Sequence, residues 1–461
     1  MTRSHAYHVT NPATGETLED FPATTPEEVE VALAKATEAF ATWRRTSLES
    51  RARTALRVSE LFAERIDELA RMISIEMGKP LSEGEEEVEF ASAIFAYYAE
   101  KAAELTADRE IESYSGGRAV IEHLPIGPLL GIMPWNFPYY QVARFVAPNL
   151  ILGNPIILKH AESCPRSALA IEQLLHDAGV PVGVYANVFA THEQVATMIA
   201  DPRLRGVSLT GSERAGSAVA RQAGAHLKKV VLELGGSDPY IVLDSEDVAG
   251  AADTAWETRV YNMGQVCNSN KRIIVHEDIY EAFVDQLTAR AAGLRPGDPS
   301  DPTPGTYSPM SSEGAVHLLK EQVDDAVSKG ARLHAGGEIP DSSGFYYSPA
   351  VLTGVTPEMR AYSEELFGPV AVVYRCESDE EAIRLANESQ YGLGGAVFSV
   401  DAERAAAVAA QLEVGMASVN TPAAEGPEMP FGGVKNSGYG RELGPLGMDE
   451  FVNRRLLYIA D

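Results

Sequence analysis

Short apolar runs alternate with helical patterns between residues 118 and 234, and this alternation constrains the fold more than any other feature. The runs predict strands at 118–124, 129–133, 155–159, 186–189, 206–209 and 229–232. Helices are predicted between them near 139–152, 167–178, 193–200 and 213–224. The pattern is typical of an α/β fold in which helices cover both faces of a parallel sheet. Ligands of such sheets bind at the carboxyl ends of the strands.

The flanking segments extend this plan. A capping box at 25–28 predicts a helix to about residue 43, and a second helix is predicted over 48–77. A third helix opens with an acidic run at 83–89, which we interpret as a solvated N-terminus without a functional role. A second α/β stretch covers about 235–430. The tail, 454–459, is predicted to be a strand, and a terminal strand with few local partners favours pairing with another subunit.

The charge balance argues against two classes of partner. The chain has 66 Asp and Glu against 38 Lys and Arg, a formal net charge of −28. We therefore expect neither nucleic-acid binding, which needs a basic surface, nor binding to an anionic membrane. The start has no signal-peptide pattern, and no apolar run is long enough to span a bilayer. Three cysteines form no disulfide framework, so a cytoplasmic location is expected, with no role for Cys164 and Cys376.

Candidate site residues follow the predicted strands. Asn136 can donate a hydrogen bond to a developing oxyanion, or it can satisfy the backbone of a turn. Lys159 and Glu162 can reach ribose or phosphate groups, or they can leave the core for solvent. Gly211 and Ser212 stand where a helix begins, which suits a pyrophosphate, although Ser212 could be only an N-cap.

Further motifs supply acid–base and nucleophilic groups. Glu233 lies among apolar neighbours, where a raised pKa would suit a general base; a salt bridge at a domain edge is the alternative. Cys267 follows a Gly-Gln loop, and it needs an electropositive or helix N-terminal setting to ionise. Glu365 and Phe367 could grip a ribose and flank a flat ring, or mark a helix start and a core residue. No His-Glu-x-x-His motif occurs, and no metal is expected.

Together and in this order, the motifs resemble the aldehyde dehydrogenase superfamily over essentially the whole chain. Glu-Leu-Gly-Gly at 233–236 and Gly-Gln-x-Cys at 264–267 are similar to its two active-site signatures. The Pro-Trp-Asn-Phe-Pro, Thr-Gly-Ser, Glu-x-Phe-Gly-Pro and Pro-Phe-Gly-Gly-Val-Lys blocks also match. The resemblance implies a Rossmann-like cofactor domain (1–110 and 125–234), an α/β catalytic domain (235–428) and a small β oligomerisation extension (111–124 and 429–461).

The resemblance also implies the roles of single residues. Cys267 would attack the aldehyde, while Asn136 and the Cys267 backbone N–H would hold the oxyanion. Glu233 would activate the water that hydrolyses the thioester. Relatives that pass the acyl group to coenzyme A typically lack this Glu, so hydrolytic release is expected. The implied cofactor-binding residues are Trp135, Lys159, Glu162, Gly211, Ser212, Leu234, Glu365 and Phe367.

Cofactor and substrate expectations follow from the same resemblance. An acid at Glu162 is similar to NAD-preferring members, because it would bind the 2′-hydroxyl and repel a 2′-phosphate, so NAD is expected to be preferred and NADP is the alternative. The motifs most resemble bacterial succinate-semialdehyde dehydrogenases, so succinate semialdehyde is the expected small-molecule substrate. Arg144 and Arg259 are the candidates to bind its carboxylate.

Several residues differ from those of known succinate-semialdehyde enzymes, so the sequence leaves other substrates and functions open. Tyr261 stands where some succinate-semialdehyde enzymes have Arg, and Ser269 stands where some have a redox-switch Cys, so no such switch is expected. The acidic loop 422–428 would disfavour an anionic substrate if it lined the substrate mouth. A neutral aliphatic or aromatic aldehyde is therefore an alternative. A non-catalytic oligomeric scaffold and a cysteine hydrolase without nicotinamide are rivals of other classes, and a homodimer or homotetramer is expected.

Overall fold

The computed structural model describes residues 7–114 and 116–461. The helices of the described residues are α1 (Pro26–Trp43), α2 (Leu48–Glu64), α3 (Ile66–Met77), α4 (Leu81–Leu105), α5 (Tyr140–Leu152), α6 (Pro165–Asp177), α7 (His192–Ala200), α8 (Glu213–Ala225), α9 (Val248–Val260), α10 (Glu277–Ala291), α11 (Glu313–Ser328), α12 (Arg360–Ser363), α13 (Asp379–Asn387), α14 (Ala402–Ala409) and α15 (Gly444–Met448). A 3₁₀ turn, Tyr261–Gly264, follows α9.

The strands are β1 (Tyr7–Asn11), β2 (Glu16–Phe21), β3 (Arg109–Ile111), β4 (Arg118–Pro125), β5 (Leu129–Ile132), β6 (Ile156–Lys159), β7 (Tyr185–Asn187), β8 (Gly206–Thr210), β9 (Lys229–Glu233), β10 (Pro239–Val242), β11 (Arg272–His276), β12 (Arg295–Pro296), β13 (Thr306–Tyr307), β14 (Arg332–Ala335), β15 (Ala350–Thr353), β16 (Val370–Cys376), β17 (Tyr391–Gly392), β18 (Gly394–Phe398), β19 (Met416–Val419), β20 (Val434–Lys435), β21 (Gly438–Tyr439) and β22 (Val452–Ile459).

The first large sheet has the strand order β21-β9-β8-β5-β6-β7. Its five strands from β9 to β7 are parallel, as the alternating pattern predicted, and β21 is antiparallel to β9. Neighbouring residues of one strand belong to different cores. In β6, Ile156 packs in the core with α2 to α6, and Ile157 packs in the core with α1, α7 and α8. Both faces of the sheet are thus buried, which explains its continuous apolar runs.

The second large sheet has the order β14-β15-β16-β11-β10-β18-β19 and is parallel except for β14. It is also covered on both faces: Ile274 of β11 faces one core and Ile273 the other. The strands β10, β11 and β16 are direct neighbours, so the loops that precede them meet at one edge of the sheet.

A three-stranded antiparallel sheet has the order β22-β4-β3. The predicted tail strand, β22, pairs along its full length with β4 of the same chain, where the sequence favoured another subunit. Only β22 of the segment 429–461 joins this sheet, because β21 pairs with β9. The outer residues of β22 include apolar side chains that are exposed, namely Leu456, Leu457, Tyr458 and Ile459.

Three details differ from the sequence prediction or bear on expected partners. The helix predicted over 48–77 is two helices, because the backbone of Arg65 turns out of helical geometry with φ −114° and ψ 19°. Across the described ranges, no helix has the length and apolar character needed to traverse a bilayer. The same residues contain no group of three His, Cys, Asp or Glu side chains placed to hold a metal ion.

Candidate active site

The site lies between the two large sheets. The predicted residues of the first sheet follow the carboxyl ends of neighbouring strands β9, β8, β5 and β6. The predicted residues of the second sheet lie in the loops before β10, β11 and β16, at the amino ends of those strands. The carboxyl ends of the strands in the first sheet and the amino ends of the strands in the second sheet therefore face each other across the candidate site.

The loop before Cys267 has an unusual backbone. Asn262, Met263 and Gly264 are all left-handed, with φ of 47°, 53° and 69°. A side chain at Gly264 would collide with the backbone of Gly368, so this position has no room for a Cβ. Consecutive left-handed residues are costly for L-amino acids, and such strain persists only where surrounding contacts enforce it.

Asn136 is joined to the nucleophile loop by two hydrogen bonds. Its Nδ2 donates to the carbonyl of Gln265 at 3.1 Å, and Asn262 Nδ2 donates to the Asn136 carbonyl at 2.9 Å. The Gln265 side chain in turn accepts from Ser311 N at 2.9 Å. The buried Asn136 amide is thus held against Gln265, which lies two residues before Cys267 in the nucleophile loop.

Glu233 ends β9 with its carboxyl group buried. Neither carboxyl oxygen has a hydrogen-bond partner among the residues that the structure describes. Burial, reinforced by the charge of Glu442, raises the pKa of Glu233 well above its usual range, while Arg144 and Arg441 oppose the shift. A Cβ at Gly432 would lie 2.6 Å from Glu233 Oε1, so the glycine makes room for the carboxyl group. An unpaired carboxyl of raised pKa has the properties of a general base.

Cys267 is partly buried. Burial raises the pKa of its thiol to about 11, although the charges of Arg144 and Lys271 act to lower it. Glu365 and Glu233 are near enough for their charges to raise it further. The resting thiol is therefore protonated at neutral pH and must lose its proton when it attacks.

Arg144 lies in α5 at the centre of the site. Its Nε is 2.7 Å from Glu442 Oε2, and its guanidinium carbon lies 4.4 Å from the centre of the Phe431 ring. The charge of Arg144 opposes the rise in the pKa of both Cys267 and Glu233. The sequence did not single out Glu442, whose partner Arg144 is almost 300 positions away in the chain.

Arg259 occupies a different place from Arg144. Its guanidinium donates to the carbonyls of Val370 at 2.8 Å, Leu366 at 2.7 Å and Gly264 at 3.2 Å, and also to Gly368. These contacts tie the loop before β16 to the nucleophile loop. Both arginines are buried with their donors engaged, since Arg144 also donates to Gln141 and Tyr140, but only the charge of Arg144 acts on Cys267 and Glu233. Arg259 therefore serves to connect two loops, and Arg144 is the better candidate to bind a substrate carboxylate.

The candidate cofactor residues of the first sheet lie side by side. Lys159 Nζ is 2.6 Å from Glu162 Oε1. Ser212 is the N-cap of α8, accepting from Ala215 N at 3.4 Å, and Gly211 N donates to the carbonyl of Glu233 at 2.9 Å. The start of α8 also packs on Leu234, since a Cβ at the following Gly216 would lie 2.6 Å from that side chain.

The remaining candidate cofactor residues come from both sheets. Trp135 and Phe367 meet edge to face, with ring centres 5.7 Å apart. Glu365 accepts a hydrogen bond from Gly236 N at 3.0 Å and forms an ion pair with Lys271 at 2.9 Å. Thr210 Oγ1, buried at the end of β8, has no partner in the part of the chain that the structure describes. A helix N-terminus, an unpaired hydroxyl and carboxylates fit the ribose and pyrophosphate of a dinucleotide.

The acidic run at the start of α4 is only partly solvated: Glu86 and Glu89 are exposed, but the interpretation without a functional role was wrong for Glu83 and Glu87. Glu83 accepts from Asn262 N at 2.7 Å, and burial raises its pKa to about 7. Glu87 accepts from the backbone N–H groups of Tyr139 and Tyr140 at 2.8 Å and 3.1 Å. These two carboxyl groups therefore hold the loop before Cys267 and the helix that follows Asn136.

A buried lysine completes this support. Lys79 forms an ion pair with Glu87, and its Nζ lies 3.6 Å from the centre of the Phe137 ring. No local signal marked it, because the Gly-Lys-Pro segment reads as a helix terminator.

The acidic loop 422–428 lies on the α4 side of the site. Burial and the charge of Glu86 raise the pKa of Glu425. Glu86 also accepts a hydrogen bond at 3.0 Å from the hydroxyl of Tyr261, six residues before Cys267.

Known proteins match this chain along its whole length. The aldehyde dehydrogenase family model matches residues 1–457. A protein of Deinococcus radiodurans named as an NADP(+) succinate-semialdehyde dehydrogenase is 51% identical, covering 97% of this chain and 93% of its own. A protein of the same name from Mycolicibacterium paratuberculosis is 42% identical, with 98% and 96% covered.

A solved structure agrees with these matches. The succinic semialdehyde dehydrogenase of Streptococcus pyogenes, in complex with NADP+, superposes with a TM-score of 0.96 at 42% identity, covering 99% of this chain and 100% of that one. The predicted α/β fold is thereby confirmed.

The expected preference for NAD over NADP was wrong, because these relatives carry NADP(+) in their names or in their crystals. The structure supplies a physical reason. Glu162 is paired with Lys159, and although burial acts to raise the pKa of Glu162, that pairing lowers it overall. A carboxylate whose charge is offset by an ammonium group at 2.6 Å repels a 2′-phosphate less than a free one.

Proposed function

Because the chain belongs to the aldehyde dehydrogenase family, we propose that it oxidises succinate semialdehyde to succinate with NADP as the hydride acceptor. It is an NAD(P)-dependent oxidoreductase that acts on aldehydes, as its motifs predicted. The observation that supports an anionic substrate is Arg144, a buried cation whose charge reaches both Cys267 and Glu233.

The residues of this chain would act in two steps. Cys267 Sγ, after losing its proton, bonds to the aldehyde carbon, and the carbonyl oxygen accepts hydrogen bonds from Asn136 Nδ2 and the Cys267 N–H. The bound nicotinamide would accept the hydride that leaves this carbon as the oxyanion becomes a carbonyl, which converts the Cys267 adduct into a thioester. Glu233 then takes a proton from water, whose oxygen attacks the thioester and releases the acid with the thiol.

The dinucleotide would lie across the carboxyl edge of the first sheet. Ser212 and Gly211 would meet the pyrophosphate at the N-terminus of α8. Lys159 would meet the adenine-side ribose and its phosphate, and Glu365 the other ribose. The rings of Trp135 and Phe367, with Leu234, would line the channel.

A second candidate substrate is a neutral aldehyde. The acidic groups Glu86 and Glu425 lie on the side of Tyr261, and they would repel an anion that entered there. Arg144 is also already paired with Glu442, which weakens its pull on a further carboxylate.

A comparison of matched aldehydes decides between these substrates. The absorbance of NADPH is followed with succinate semialdehyde and with butanal, which lacks the carboxylate. If Arg144 binds the carboxylate, Arg144→Met lowers kcat/KM for succinate semialdehyde about 10- to 100-fold more than for butanal, because a hydrogen bond to a charged group contributes about 1.5–3 kcal/mol. A wild-type enzyme that prefers butanal would instead establish the neutral substrate.

Cys267→Ala is the control for the chemistry itself. It should form no NADPH, and activity that survived would remove the proposed nucleophile. The rivals left open by the sequence, a non-catalytic scaffold and a hydrolase independent of nicotinamide, predict no NADPH from any aldehyde.

We also propose that the chain forms a homo-oligomer and is located in the cytoplasm. The exposed apolar residues of the edge strand β22 would be covered by a second copy. The three cysteines are free thiols, which a reducing compartment preserves. Analytical ultracentrifugation of the purified chain would measure the assembly.

A further inference from the structure

Lys271 stands between the nucleophile loop and β11, and its side chain is 1% exposed. Three acceptors surround its ammonium group. Its Nζ donates to the carbonyls of Val266 at 2.6 Å and Cys267 at 2.7 Å, and it lies 2.9 Å from Glu365 Oε1. Burial of a lysine is costly unless its donors are satisfied. The three acceptors therefore hold the ammonium group at this buried position.

The carbonyl of Val266 has a particular importance. It belongs to the same peptide unit as the N–H of Cys267, and a peptide unit is planar and trans. The C=O and N–H of one unit therefore point in opposite directions. A hydrogen bond that fixes the Val266 carbonyl also fixes the direction of the Cys267 N–H.

The preceding peptide unit is held in the same manner. Asn136 Nδ2 donates to the carbonyl of Gln265, which shares its unit with the N–H of Val266. The loop before the thiol is thus oriented by donors to two successive carbonyls, one from each side of the cleft.

We propose that Lys271 is a positioning residue of the oxyanion site, which aims the Cys267 N–H at the aldehyde oxygen by holding the Val266 and Cys267 carbonyls. The inference rests on the proposed function, because it takes Cys267 as the nucleophile. Lys271 is held in turn by Glu365, and its Nζ lies 5.6 Å from the centre of the Phe367 ring. The orientation of the oxyanion donor therefore depends on the loop that carries the candidate ribose ligand.

The position of Lys271 also affects the thiol. Its charge acts to lower the pKa of Cys267, against the effect of burial. Replacement should therefore change two measurable quantities, the pH at which the thiol ionises and the rate of aldehyde oxidation. A role in packing alone would change neither one selectively.

The test compares Lys271→Met with a matched lysine. Lys228 Nζ also donates to two carbonyls, those of Asp201 and Leu204, at 2.9 Å and 2.6 Å, but in a loop away from the thiol. Lys228→Met is therefore the control for the loss of a lysine that bridges carbonyls. Each full-length variant is assayed for NADPH formation and for alkylation of Cys267 by iodoacetamide between about pH 7 and about pH 12, a range that includes the inflection of the thiol, with the modified peptide identified by mass.

Alkylation needs the thiolate but develops no oxyanion. For Lys271→Met we expect kcat to fall about 10²-fold, as on loss of an oxyanion donor, while KM for NADP stays within about threefold. The thiolate-specific alkylation rate should also stay within about threefold, with its inflection moved to higher pH. Lys271→Arg, which keeps charge and donors, should recover kcat to within about tenfold of the wild type.

Two results would overturn the proposal. One is a kcat of Lys271→Met equal to that of Lys228→Met, and the other is an equal fall of kcat and of the thiolate-specific alkylation rate. If Lys271→Met does not fold, Lys271→Gln decides by the same two rates. A failure of the proposed function would be recognised separately, because Cys267→Ala would then still oxidise the aldehyde.

Discussion

The hydrogen bond from Asn262 N to Glu83 should be needed to hold the nucleophile loop in its active conformation. In Glu83→Ala the buried N–H loses a carboxylate acceptor at 2.7 Å. Hydrogen bonds to charged groups contribute about 1.5–3 kcal/mol, and an unsatisfied buried donor costs a similar amount. The left-handed Asn262 and Met263 add strain that favours relaxation once the bond is lost.

A loss of about 2 kcal/mol lowers the population of the competent loop up to about 30-fold, because about 1.4 kcal/mol corresponds to a factor of ten. We expect kcat/KM of Glu83→Ala to fall by up to that factor. Burial raises the pKa of Glu83 to about 7, so the carboxylate that accepts most strongly forms as the pH rises through 7. The deficit of the variant should therefore grow over that range.

The assay is steady-state NADPH formation at several pH values, with hydrogen exchange of the loop residues as a direct measure of opening. The matched control is Glu89→Ala, because Glu89 is an exposed acid of the same helix. A kcat/KM of Glu83→Ala within twofold of Glu89→Ala, together with unchanged exchange of the loop, would refute the reasoning.

Three other outcomes are expected. Glu233→Gln should release one burst of NADPH and then stall at the thioester; continued turnover in stopped-flow records would exclude Glu233 as the base. The wild type should have a higher kcat/KM with NADP than with NAD, and Lys159→Met should reduce that ratio; an unchanged ratio would remove Lys159 from 2′-phosphate binding. Burial, against the charge of Lys271, raises the pKa of Asp238 from 3.8 to about 7, so the folded state favours the protonated carboxyl group. The resulting stabilisation of the folded state is complete below about pH 3.8 and is lost as the pH rises through 7, on the order of 4 kcal/mol. Asp238→Asn should flatten the fall in unfolding free energy over this range in urea titrations; an unchanged slope would count against the shift.

The first sheet could be predicted from the sequence because its strands and helices carry local signals. Runs of apolar residues, a capping box at Thr25 and turn residues at strand ends depend on neighbours in the chain. The position of Asn136, Ser212 and Glu233 at one edge of the sheet follows from the parallel strands, whereas the adjacency of those strands is a finding of the structure. The order of the motifs along the chain also indicates Cys267 as the nucleophile.

The contacts that support the site could not be predicted in this way. Glu83 and Glu87 belong to an acidic run, and only the docking of α4 onto two distant loops shows that they are buried. Lys271 reads as an ordinary residue at the start of a strand, because its partner Glu365 is far along the chain. The break between α2 and α3 at Arg65 could not be predicted, because no Gly or Pro lies near it.

The pairing of β21 with β9 has a consequence for synthesis of the enzyme. Gly438 lies opposite Glu233, and Ser437 bonds to both Leu234 N and Gly235 O, so the strand that carries the base is clamped by residues translated about 200 positions later. A nascent chain that has not yet reached Ser437 would contain Cys267 and its loop, but the strand that carries Glu233 would lack these contacts. Catalytic competence should therefore arise only after residues 437–439 have been translated, and a nonsense mutation that stops the chain before Ser437 should abolish activity as fully as one before Cys267.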